Sequence, residues 1–151
     1  QRGACWLPRE VFAAEGFDLA HLTTAQDREG FERGIRRLLA IAHGHLRDAL
    51  CYSLLIPKQE TGIRNFCLWA IGLAVLTLRK INKHPEYRDA SRVKISRVSV
   101  KATLLATSLT VQKDGLLKFL FQAAAWGLPP APALNRGSPA EAGENKAEIA
   151  P

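Results

Sequence analysis

Thirteen consecutive residues without a charge, FCLWAIGLAVLTL from Phe66 to Leu78, constrain this chain more than any other feature. A membrane-spanning helix needs roughly 20 apolar residues. This run is shorter, and Arg64, Arg79 and Lys80 bracket it. Its composition predicts a helix, Gln59 to Lys83, buried nearly all round in a protein core. The alternative is a re-entrant or monotopic membrane segment.

Helical periodicity surrounds that run. Pro8 suits a first helical turn and predicts a short helix over Arg9–Glu15. Thr24 and Asp27 are spaced as a helix cap. After them Phe31, Ile35, Leu38, Leu39, Ala42, Leu46, Ala49, Leu50 and Leu54 recur at three- and four-residue steps, up to the stop at Pro57. Ser96 is a good N-cap for a helix over Arg97–Ser108, with Val98, Ala102, Leu105 and Leu109 expected on its core side. A further helix is predicted over Lys113–Trp126, with Leu116, Leu117, Leu120 and Phe121 apolar, closed by Gly127 and the Pro129-Pro130 pair. Alternation of period two is confined to the short Val93–Val100 stretch, so the fold class is all-α. From 129 onward Pro, Ala, Gly and Glu dominate. That divides the chain into a helical domain, 1–128, and an expected disordered tail, 129–151.

The chain opens on Gln1 and contains no Met, so a processed product or a fragment is expected, and no signal peptide is read at its start. Cys5, Cys51 and Cys67 are widely spaced and form no zinc pattern. They read as reduced, buried, small hydrophobes in a cytoplasmic protein. His43 and His45 are two residues apart, on different sides of a helix, and do not form a shared metal site.

The formal charge is +7, and a net +6 of it lies between Arg79 and Lys101. Such a patch suits a polyanion: a nucleic acid, an anionic membrane or a diphosphate. The plainer alternative is a solvated basic face. Tyr87 is the only aromatic within it and no nucleic-acid motif is present, so no nucleic-acid partner is expected. The acidic residues are sparse. Asp18, Asp27, Asp48, Asp89 and Asp114 stand apart, and the pairs Glu29/Glu32, Glu86/Asp89 and Glu144/Glu148 read as surface or tail pairs. A helical magnesium site needs carboxylates one turn apart on one face, so no metal is expected on this segment.

Three segments, in this order, resemble the squalene/phytoene synthase family. RGACWLPREVF, Arg2–Phe12, is similar to the segment that follows the family's second aspartate-rich motif, with Arg2-Gly3 in reversed order. IRNFCLWAIGLAVLTLRKI, Ile63–Ile81, resembles the helix that carries its Asn-Phe-Cys core. VKISRVSVKATLLAT, Val93–Thr107, is similar to its Val-Lys-Ile-Arg stretch and the helix after it. The resemblance covers about Arg2 to Phe121. It implies the C-terminal half of an isoprenoid-synthase-type helical bundle around a central cavity.

The implied enzyme is a transferase of isoprenoid biosynthesis. It joins two farnesyl diphosphates head to head through presqualene diphosphate, and squalene synthases reduce this with NADPH to squalene. The resemblance implies Phe66 as the aromatic that stabilises a cation, with Trp69, Ile71, Leu73 and Ala74 as the apolar wall. It implies Lys94, Arg97 and Arg2 as contacts to the cofactor phosphate, although Ser96 stands where the family has Arg. The plain alternatives are core packing for Phe66 and a surface lysine for Lys94. The family's Mg2+ would sit on aspartate-rich motifs expected upstream of Gln1, so the segment alone is expected to be inactive. The implied location is cytoplasmic, with peripheral contact at the inner face of a membrane. The competing reading is a non-catalytic helical module or relic that binds an anionic membrane through its basic patch.

Overall fold

A computed structural model describes residues 7–21, 28–85 and 93–131. Arg2, Cys5 and the Thr24 cap lie outside them. Five α-helices are present: α1 (Arg9–Ala13), α2 (Arg28–Ser53), α3 (Thr61–Lys83), α4 (Arg97–Thr110) and α5 (Asp114–Ala125). A 3-10 turn, Leu19–His21, follows α1, and no strand occurs among the described residues. The all-α, isoprenoid-synthase-like class is therefore what the chain adopts.

Helix α3 is the axis of the arrangement, and α2, α4 and α5 all pack on it. The α2 stripe behaves as its periodicity requires. Ile35, Leu39 and Leu50 are buried, and Arg33, Arg36, Arg37 and Arg47 point to solvent. At its first turns the rings of Phe12, Phe17 and Phe31 meet with centroids 5.5–6.3 Å apart. Gly34 permits this approach, because a Cβ there would collide with the Phe12 ring. Further along, Leu50, Leu68, Ile71, Val111 and Leu117 form a second buried cluster.

Three expectations are corrected. Helix α3 is not buried all round: it buries Arg64, Leu68, Ile71 and Val75, while Ile63, Phe66 and Ala70 face outward. By length and composition it is also apolar enough to cross a membrane, counted over the whole of Thr61–Lys83 rather than its uncharged centre. Second, α4 buries no residue fully, and its expected core side is its outer side. It approaches α3 instead through small and hydroxyl side chains. A Cβ on Gly72 would lie 2.6 Å from the Thr103 methyl. Thr103, Thr107 and Thr110 each donate a hydroxyl to the carbonyl four residues back, at 2.7–2.9 Å, so their methyl groups are free to pack. Leu116 is displaced outward in the same way, while its neighbour Leu117 is buried. Third, Cys51 is exposed and Cys67 half-buried, both as free thiols.

Ser96 caps α4 as expected: its Oγ accepts from Ser99 N at 3.0 Å. Residues 129–131, the start of the expected tail, lie along α2. His43 Nδ1 is 2.9 Å from the Pro129 carbonyl oxygen, and Asn82 Nδ2 donates to the Gly127 carbonyl at 2.9 Å. Gly127 turns the chain at φ +83°, a conformation that favours glycine. Residues 132–151 lie outside the described set.

Candidate functional site

Two groups of charge sit on α3, and they differ in their partners. At its N-terminal end Arg64 is 1% exposed. Its guanidinium donates to the carbonyls of Val111 at 2.9 Å, Ile56 at 2.7 Å and Leu54 at 3.4 Å. It also donates to Asp114 Oδ1 at 2.5 Å, and Lys58 stands 3.6 Å from the other carboxylate oxygen. One side chain thus ties the α2–α3 loop to the α4–α5 turn and to the first turn of α5. Partial burial acts to raise the Asp114 pKa, but the hydrogen bond and charge of Arg64, with Lys58 beside them, outweigh it. The carboxyl is held below its ordinary value. Arg64 had shown itself in the sequence only as a bracket to the apolar run. Its partners at Val111 and Asp114 are 47 and 50 residues away, beyond any local pattern.

At the other end of α3 the cations form no ion pair among the described residues. Arg79, Lys80 and Lys83 line a cleft of about 120 Å³ together with Leu76, Ile95 and Ser99. No ion pair links them to a described carboxylate, and neither 61–85 nor 93–113 contains an acidic residue. The capped N-terminus of α4 borders the cleft through Ser99, and a helix N-terminus favours an anion. Lys94 and Arg97 flank Ile95 in the chain and are exposed. Three cations of the basic stretch read in the sequence, Arg79, Lys80 and Lys83, thus share one cleft, which charge counting alone does not reveal.

Helical spacing links this cleft to the expected apolar wall. Phe66, Trp69, Leu73, Leu76, Lys80 and Lys83 follow one another at three- and four-residue steps, which places them in one stripe along α3. Phe66 is 71% exposed, so the described residues do not close a cavity around it. Trp69 and Leu73 are half-buried. Trp69 Nε1 and, one turn before it, Asn65 Oδ1 are buried without a hydrogen-bond partner. Ile71 does not share the stripe: its side chain belongs to the buried cluster on the opposite side of α3. Ala74 lies between the two faces, half-buried. Among the described residues no group of three or more His, Cys, Asp or Glu is placed to hold a metal ion.

A sequence model of the squalene/phytoene synthase family matches residues 1–99. The chain belongs to the squalene/phytoene synthase family. The matched region contains the whole α3 stripe and every residue that lines the basic cleft. No curated protein and no solved structure matches the chain.

Proposed function

We propose that this chain forms the diphosphate-recognising wall of a squalene synthase-like prenyl transferase. The reaction is the head-to-head condensation of two farnesyl diphosphates, through presqualene diphosphate, to squalene. The observation that carries this reading is the polarity of the α3 stripe. Its N-terminal half offers Phe66, Trp69 and Leu73, and its C-terminal end offers Lys80 and Lys83 beside Arg79. At 1.5 Å per residue the two ends, Phe66 and Lys83, lie about 25 Å apart. That is the layout of a ligand with an anionic head and a long apolar tail.

The chemistry follows from the same polarity. Ionising an allylic diphosphate leaves an anion beside a carbocation. The cations of the cleft stabilise the anion electrostatically. The aromatic faces of Phe66 and Trp69 suit the cation, and an apolar wall withholds the water that would quench it. We assign the phosphates of NADPH to Lys94 and Arg97, exposed neighbours in the chain of the cleft residue Ile95. When bound, that cofactor supplies the hydride of the reductive step.

Calorimetric titration of the full chain with farnesyl thiodiphosphate and with inorganic pyrophosphate tests the reading. Both should bind, the farnesyl compound more tightly, and added salt should weaken both. Equal affinities would remove the role of the apolar stripe. Failure of either to bind would remove the site.

A further inference from the structure

Helix α4 has two faces of different kinds. The inner one meets α3 through small and hydroxyl side chains, with Thr103 against Gly72. The outer one carries Val98, Ala102, Leu105 and Leu109, all exposed, Leu105 by 62% and Leu109 by 71%. Their steps of four, three and four residues are those of the a and d positions of a heptad. That is a narrow seam, suited to a second helix lying along it rather than to a broad core. Among the described residues no helix covers it.

The distribution of charge indicates which helix. The charged residues of α4 are Arg97 and Lys101, both in its first half, and its second half is neutral. Laid antiparallel on the α4 of a second copy, each cationic half meets a neutral half, whose C-terminal carbonyls carry partial negative charge. The cations of the two copies are then kept at opposite ends of the contact. The seam also fits itself in this direction. About a two-fold axis through the middle of the helix, Val98 meets Leu109 of the second copy and Ala102 meets its Leu105. Each layer sets a smaller side chain against a larger one, as close packing requires. Lys101 flanks the seam and comes beside Ser108 of the second copy. A parallel pairing would gather the cations of both copies at one end and set Ala102 against Ala102, which leaves the centre thin. The net charge of +7 opposes association only at long range, and physiological salt screens it beyond about 8 Å.

We infer that the chain pairs with a second copy of itself through an antiparallel, two-fold contact of α4 on α4. The inference does not depend on the reaction proposed above, since Arg79, Lys80 and Lys83 take no part in the contact.

Sedimentation equilibrium of the full chain over a wide range of concentration tests it. A monomer–dimer equilibrium is expected, with a dissociation constant on the order of micromolar, because a contact of this size lies at the small end of specific interfaces. Leu105→Lys places a charge in the central layer, next to Lys101 of the second copy, and should weaken the dimer by about tenfold or more. Ser108→Glu should do the opposite. It sets a carboxylate beside Lys101 of the second copy and should tighten the dimer by about twofold to fivefold at low salt, and by less at high salt. Both positions are exposed, so the circular dichroism of both variants should match that of the parent. A chain that stays monomeric throughout would overturn the inference and leave this face to another cover, such as a different chain or a lipid surface. A dimer that Leu105→Lys leaves intact would overturn it by placing the contact elsewhere. A dimer that Leu105→Lys disperses but Ser108→Glu fails to tighten would overturn the antiparallel arrangement.

Discussion

The two ends of α3 carry the same kind of charge in opposite circumstances. Arg64 has its guanidinium surrounded by three carbonyls and a carboxylate. Arg79, Lys80 and Lys83 have no ion pair with a carboxylate among the described residues, and they line a cleft. A buried cation must find all its partners within the fold, or the cost of its desolvation would unfold it. An unpartnered cluster at the surface repels itself, which a bound anion relieves. One end of the helix therefore holds the bundle together, and the other is available to a ligand. Removing charge at the first end should change stability and leave binding to its consequences. Removing it at the second should do the reverse.

The largest effect is expected at the paired end. Arg64→Ala strands three carbonyls, leaves Asp114 with Lys58 alone and opens a cavity, and it should cost about 3–5 kcal/mol in urea-induced unfolding. A change within about 0.5 kcal/mol would erase the distinction between the two ends. Next is the α3–α4 contact that shapes the cleft. Gly72→Val presses into Thr103 and should cost about 1–3 kcal/mol, with weaker pyrophosphate binding as the helices part.

A smaller effect concerns pH. Because the folded-state pKa of Asp114 is depressed, its contribution is fully present above the ordinary carboxylate value near 3.8. It is lost as pH falls through the lower folded value. Asp114→Asn should therefore lower stability at neutral pH and flatten the acid limb of the stability curve below about pH 4. An acid limb identical to that of the parent would show that Arg64 gains nothing from the carboxylate. The smallest stability effect is predicted for Lys80→Ala/Lys83→Ala, within about 0.5 kcal/mol per site, since both positions are exposed and form no ion pair among the described residues.

The same contrast explains what could be read from the residues. The five helices were legible, with ends within a few residues, because Pro8, Pro57, Ser96 and Gly127 punctuate them locally. The buried stripe of α2 was legible because a single apolar face met a single core. The α4 face was misread because periodicity identifies an apolar face without saying what covers it. The competing signal was present in Thr103, Thr107 and Thr110, one small-residue ridge opposite Gly72, and it set the packing. Of the candidate site, the density of cations from Arg79 to Lys101 was legible, and Phe66, Trp69 and Leu73 fall in one stripe with Lys80 and Lys83. Ile71 was grouped with them by its place in the run, although its position on the helix puts it in the core. The role of Arg64 was not legible, since it is set by contacts with Val111 and Asp114 across the fold.

The central claim is that the cleft end of α3 seats a diphosphate. Its most direct test is the affinity of the full chain for farnesyl thiodiphosphate, compared between the parent and Lys80→Ala/Lys83→Ala at equal helicity. The account predicts a loss of about tenfold or more, and a weaker dependence of the residual binding on salt. Unchanged affinity in the double variant would contradict it and leave the cleft a solvated basic surface.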